Sequence, residues 1–200
     1  MKSKTKKLFL ICIASPIILV FCSYTLWYFY KVINTAQKIR RLEASVDKIY
    51  IIYTKIHGLP LLRNEDNSEN SGVKLVYCPS LLKFSNNKFL LHEVKAMAPF
   101  DKIDRIYEVS TDKSKKLLSL IKINVNWYSM MGGWRCCCLL TPQIIIMSKD
   151  KVLARIYIHD IDNNGYMDSE YLGDGLLVLL SSSHQKLKDF FVENKLPMWI

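Results

Sequence analysis

Val32-Ile-Asn-Thr35-Ala-Gln-Lys38-Ile39-Arg-Arg41-Leu42-Glu-Ala-Ser-Val46-Asp47-Lys48-Ile49-Tyr-Ile-Ile-Tyr53-Thr-Lys-Ile56 carries an apolar stripe. Val32, Thr35, Ile39, Leu42, Val46, Ile49, Tyr53 and Ile56 recur every three or four residues, and seven of the eight are apolar. No Gly or Pro interrupts them. That period is helical, and the seam is about three and a half heptads long. Lys38, Arg41, Asp47 and Lys48 occupy the opposite face. Tyr50, Ile51 and Ile52 widen the apolar face at its distal end, as docking on a domain requires. Gly58 and Pro60 then follow in the order that ends helices. The spacing predicts an amphipathic stalk helix over 31–57. Two partners suit its stripe: the protein's own domain, or a second copy through 32–56.

Upstream, residues 8–30 form one uncharged run of 23 residues. Lys2, Lys4, Lys6 and Lys7 form a basic tail (1–7) before it, and Lys31 follows it. At ~1.5 Å per residue such a helix crosses a hydrocarbon core of ~30 Å. The run is too long for a secretory signal peptide and ends in Tyr24-Thr-Leu-Trp27-Tyr28-Phe29-Tyr30, aromatics that favour the membrane–water interface. Phe21 stands where a lipoprotein site before Cys22 needs a small residue. The expectation is an uncleaved single-pass anchor in a lipid bilayer, with Pro16 tolerated mid-span. Lysines and arginines nearly balance across the run, so orientation rests on the short basic tail staying in the cytosol. That puts the C-terminal domain on the extracytoplasmic side.

The formal charge of +10 suggests nucleic acid until it is divided. Residues 1–57 hold 10 Lys/Arg against 2 acidic residues, whereas 58–200 hold 18 against 16. The cationic excess flanks the apolar run, where it sets topology and meets anionic headgroups. No basic helix with groove-reading residues appears, so nucleic acid is set aside as a partner.

Downstream of 57 the composition is apolar enough for one packed domain, 58–200. After a polar connection at 63–72, runs rich in β-branched and aromatic residues predict strands at 73–78, 88–97, 103–110, 117–130, 136–147, 152–161 and 176–180. Ser85-Asn-Asn, Thr111-Asp-Lys-Ser, Gly132-Gly133 and Ser148-Lys-Asp-Lys151 punctuate them. The last of these predicts an antiparallel hairpin. Residues 184–194 predict a short terminal helix. The expected fold is α+β: a long N-terminal helix and a mostly antiparallel sheet.

No Lys or Arg occurs between Arg155 and Lys186, and that interval contains Asp160-Ile-Asp162-Asn-Asn164-Gly165-Tyr166-Met-Asp168. Calcium takes six to eight hard oxygens, which a tightly coiled loop offers at alternating positions. Asp160, Asp162 and Asn164 supply side-chain oxygens at positions 1, 3 and 5, and Gly165 permits the sharp turn. Tyr166 supplies its carbonyl at position 7, and Asp168 stands at position 9, binding directly or through water. The competing reading is a solvated turn rich in Asp, Asn and Gly. The stretch resembles the calcium loops of EF-hands, dockerins and calcium-binding propeller blades. It departs from the EF-hand at position 12, where Tyr171 replaces Glu and Glu170 sits one place early. The resemblance implies a calcium site, and the missing bidentate Glu makes it weak, about 10⁻⁴–10⁻³ M; no other cofactor is expected.

Outside the span the cysteines are Cys78, Cys136, Cys137 and Cys138, without the Cys-x2-Cys spacing of a zinc site. They read as buried thiols, or as a disulfide from Cys78 in an oxidising compartment. His92-Glu93, His159-Asp160 and Ser183-His184 are adjacent pairs, but none comes with a complete nucleophile, base and orienting acid. No phosphate loop, dinucleotide fingerprint or zincin motif is present.

Arg40-Arg41-Leu42-Glu43-Ala44, continuing to Tyr53-Thr54-Lys55-Ile56-His57-Gly58-Leu59-Pro60, resembles the helix end of type II secretion pseudopilins. The order of membrane helix, amphipathic helix and sheet resembles type IV pilins as a whole. The resemblance implies an assembly subunit. The prepilin processing signature is missing: no Gly precedes the apolar run, and residues 8–30 lack Glu. Three functions follow: a non-catalytic extracytoplasmic interaction domain on an anchor, a pilin-like subunit, or a membrane-tethered enzyme.

Overall fold

The computed structural model describes residues 2–54, 72–78, 83–84, 103–124, 142–159, 166–169 and 171–197. The chain divides into two compact units, Met1–Thr35 and Ala36–Ile200. Helix α1, Lys2–Ser45, runs for 44 residues with Pro16 inside it. It contains the whole of the uncharged run.

The stalk helix expected over 31–57 stops at Ser45, and strand β1, Lys48–Thr54, begins three residues later. This corrects the sequence reading and moves the start of the β-rich unit from 58 to Ala36. The cause is local chemistry. Ile49, Tyr50, Ile51, Ile52 and Tyr53 are five consecutive β-formers with apolar bodies in both directions. A helix would bury one stripe of them, whereas a central strand buries both faces. The seam holds where it is helical: Ile39 and Leu42, with Val46 just past the helix end, are buried in the core of their own unit.

Among the described residues the remaining elements are β2 (Val73–Cys78), β3 (Lys83–Phe84), β4 (Ile103–Val109), α2 (Thr111–Leu120) and β5 (Ile123–Asn124). Then come β6 (Gln143–Ser148), β7 (Lys151–His159), β8 (Tyr166–Ser169), β9 (Gly173–Leu179) and α3 (Ser181–Glu193). The nine strands among the described residues form one sheet in the order β3-β2-β4-β1-β6-β7-β8-β9-β5, and every pair is antiparallel. The expected α+β class is therefore the observed one. Strand β1 lies inside the sheet, between β4 and β6.

The 111–114 turn and the strand expected from 117 are corrected to one helix, α2. Asp112 favours its positive N-terminal end, and Ser114, Leu117 and Leu118 make a buried stripe at helical spacing. The strands expected over 88–97 and at 125–130 and 136–141 lie outside the described residues.

One core cluster joins a sheet face to the helices. Ile49 and Ile51 of β1, Ile144 and Ile146 of β6, and Ile156 and Ile158 of β7 meet Leu42 of α1, Leu117 of α2 and Phe190 and Phe191 of α3. The other sheet face buries Tyr50, Ile52, Val76, Ile103, Ile106, Ile145 and Met147. Among the described residues no helix contributes to this second cluster. Each fully buried isoleucine of β1 contributes roughly 1.5–3 kcal/mol of transfer free energy.

The expected β6–β7 hairpin is present, with Ser148 paired to Lys151. Its two loop residues, Lys149 (φ 46°) and Asp150 (φ 62°), are both left-handed, as a two-residue type I′ turn demands. Asp47 holds this turn from the α1–β1 junction: the Lys149 N–H donates to Asp47 Oδ2 at 2.6 Å. The Asp47 N–H donates to the Met147 carbonyl at 2.9 Å, and the Thr111 hydroxyl donates to the Asp47 carbonyl at 2.5 Å. One exposed aspartate thus ties the end of α1 to the hairpin and to the start of α2.

Candidate functional site

Two regions carry the functional expectations, the apolar helix and the acidic segment 160–168. On α1, Ile17, Ile18, Leu19, Val20 and Phe21 are exposed, and so are Leu26, Trp27, Phe29, Tyr30 and Ile33. The segment Ser15–Ser45 contains an apolar window with a mean hydropathy of 1.4 and none of it buried, which is long and apolar enough to cross a membrane. Pro16 lies inside this helix without ending it, as membrane helices tolerate. Aromatic rings collect at the C-terminal end of the uncharged run, between Tyr24 and Tyr30. Tyr24 and Trp27 lie 6.2 Å apart, and Tyr28 meets Phe29 edge-on at 5.9 Å. The Lys31 ammonium stands over the Trp27 ring, 5.5 Å from its centroid. Cys22, on the same helix, is exposed and forms no disulfide.

The acidic segment begins after the end of β7 at His159 and runs into β8. Asp160, Asp162, Asn164 and Gly165 lie outside the described residues. Tyr166 and Asp168, expected as loop ligands, are backbone members of β8. Tyr166 pairs with His159 and Asp168 with Tyr157, so the hairpin brings the two flanks of the loop together. Met167 and Ser169 of β8 are buried, and the Ser169 hydroxyl donates to the Arg155 carbonyl at 2.7 Å. The next turn is held from α1: Lys38 Nζ donates to the Leu172 carbonyl at 3.5 Å and lies 5.8 Å from the centre of the Tyr171 ring.

The nucleophile and metal readings gain no geometry. His92 and Cys136–Cys138 lie outside the described residues, Cys78 is in β2, and His184 is half-buried in α3. Among the described residues no group of three or more His, Cys, Asp or Glu is placed to hold a metal.

The sequence reading missed one polar cluster, inside the sheet. Tyr53 is buried edge-on to Tyr107, with ring centroids 5.7 Å apart, and is the cross-strand partner of Arg105. Burial, then the neighbouring Tyr107, push the Tyr53 phenol well above the usual tyrosine range, against an opposing pull from Arg105. Arg105 Nε lies 3.3 Å from Asp104 Oδ2 without hydrogen-bond alignment, so that contact is coulombic. The sequence signal for this cluster is the Tyr-rich end of β1, which a helical reading of 48–54 obscures. Comparison with known families, with curated proteins and with solved structures found no match.

Proposed function

We propose that this chain is a single-pass membrane-anchored protein whose β-rich unit is a non-catalytic interaction domain on the extracytoplasmic side. The observation that carries the reading is the exposed apolar surface of α1 from Ile17 to Ile33. Exposing that many large apolar side chains to water opposes solubility, and a bilayer removes the cost. The basic residues at 2–7 set the N-terminus in the cytosol. The 160–168 loop binds calcium weakly and orders the hairpin between β7 and β8, which suits the millimolar calcium outside cells. Alkaline carbonate extraction tests the anchor: the full chain should stay with the membrane pellet. A C-terminal reporter tests the side, and activity confined to the cytosol would reverse the orientation.

A pilin-like subunit is the second reading, favoured by the continuity of α1 and by the burial of Ile39, Leu42 and Val46 in the β-rich unit. This second reading is a subunit without standard prepilin processing, so self-association in the membrane separates the two. Crosslinking of the full chain that stops at the monomer supports the anchored domain, and a ladder of homo-oligomers supports the pilin-like subunit.

A further inference from the structure

We propose that the Trp27–Lys31 turn of α1 fixes the depth of the helix in the bilayer, with the Lys31 ammonium taking a phospholipid phosphate. The inference rests on the anchor reading above and adds a specific ligand contact to it. Lys31 is the first charge after 23 uncharged residues, and the next cation is Lys38. The four-residue spacing sets Lys31 on the same helix face as Trp27, with its ammonium 5.5 Å from the ring centroid. Tyr24, 6.2 Å from Trp27, extends that face one turn toward the hydrocarbon. An indole settles at the interface, with its apolar body in the hydrocarbon and its N–H among headgroups. An ammonium docked on that indole is carried to the same depth. At that depth the abundant anionic acceptor is the lipid phosphodiester, and a lysine is a strongly hydrated point charge suited to it. Once Lys31 is removed, nothing charged resists a one-turn slide that draws Ile33 toward the hydrocarbon.

The test is thiol labelling of the full chain in sealed vesicles by a membrane-impermeant maleimide, read peptide by peptide. Ile33→Cys serves as the reporter, because Ile33 is exposed, and the native Cys22 serves as the depth control. In phosphatidylglycerol/phosphatidylcholine vesicles the Ile33→Cys site should label about fivefold more slowly when Lys31→Gln is added. Lys31→Arg should keep the original rate, and Trp27→Leu should slow it in the same direction. In vesicles of a phosphate-free galactolipid, Lys31→Gln should make no difference. Equal rates in phospholipid for Lys31 and Lys31→Gln overturn the depth role. A difference that persists in galactolipid overturns the phosphate. A difference that appears there only with added inorganic phosphate assigns the site to the free anion and overturns the lipid. If Cys22 labels in vesicles as fast as in detergent, the anchor reading itself fails, an outcome distinct from the others.

Discussion

The face of α1 from Ile17 to Ile33 and the strand β1 are built from the same kinds of side chain, with opposite outcomes. Ile17, Val20 and Tyr30 are 64%, 70% and 69% exposed, whereas Ile49, Tyr50 and Ile51 are fully buried. Both are long apolar runs. The difference lies in the number of neighbours their backbones recruit. A helix satisfies its own hydrogen bonds and can stand alone in lipid. A strand must pair on both edges, and β1 pairs with β4 and β6 while helices cover one of its faces. Hydrophobicity therefore marks both segments for removal from water, and backbone pairing commits β1 to the protein core while leaving α1 a helix long and apolar enough to cross a membrane.

The largest test cuts the chain on either side of β1. A chain beginning at Ala36 keeps the compact unit, whereas one beginning at Gly58 loses an internal strand and the packing of Ile39, Leu42 and Val46. We expect a cooperative thermal transition by circular dichroism for the first and none for the second. A sharp transition in the Gly58 chain would show that β1 is dispensable and would break the comparison.

Next in size are two matched substitutions. Ile51→Asp puts an unpaired carboxylate into a fully buried site and should destabilise the fold by at least ~4 kcal/mol, read from denaturant melts in detergent. Ile18→Asp meets no protein core and should leave that midpoint unchanged. Its cost, about 2.5–3.5 kcal/mol, should appear in membrane insertion. Loss of folding from Ile18→Asp, with insertion intact, would mean that the exposed helix face is packed on protein.

These regions also show what could be read from residues alone. The helix period of Val32–Val46 and the uncharged run were legible because a helix repeats its pattern at fixed spacing. The break at Val46-Asp47 was not, because no Gly or Pro marks it. The bonds that make the turn come from Met147, Thr111 and Lys149, between 64 and 102 residues away in sequence. The 3–4 spacing of Val46, Ile49 and Tyr53 also survives in a strand buried on both faces. Five consecutive β-formers at 49–53 were the available signal, since a one-sided helix has no use for them. α2 was hidden because Leu117 to Ile121 is apolar enough for either element, and its helical stripe shows only when Ser114 is counted as buried. The acidic stretch 160–168 offers a spacing of oxygen-bearing residues to sequence reading, whereas the strand character of Tyr166 and Asp168 depends on pairing with His159 and Tyr157.

Calcium sharpens the comparison from the sheet side, because the loop adds charge next to strands held by apolar contact. The full chain in detergent should melt higher in calcium than in chelator. At 100 times the dissociation constant the gain is about 2.7 kcal/mol. Magnesium should give less, since it demands a tighter octahedral shell. Asp160→Ala should abolish the difference. Equal midpoints for the wild type in calcium and chelator leave the solvated turn as the reading of 160–168.

The smallest effects sit at the junction between the two regions, where α1 hands over to β1. Asp47→Ala removes the carboxylate that accepts the Lys149 N–H at 2.6 Å but leaves the backbone bonds to Met147 and Thr111 in place. We expect a loss of about 1–2 kcal/mol, since the acceptor is charged and the donor lies in an exposed turn. The turn itself offers the opposite sign. Lys149 and Asp150 both occupy left-handed backbone, which costs a non-glycine residue roughly 1–2 kcal/mol. Lys149→Asn with Asp150→Gly supplies the pair that type I′ turns prefer. Part of the relief is offset by the freedom glycine adds to the unfolded chain, roughly 0.5–1 kcal/mol. The net gain should be below ~1 kcal/mol, and it should persist in the Asp47→Ala background because it comes from the backbone rather than from the carboxylate. Chemical denaturation of the four chains forms a double-mutant cycle. A gain that vanishes without Asp47 would mean that the carboxylate, and not the turn residues, sets the left-handed geometry.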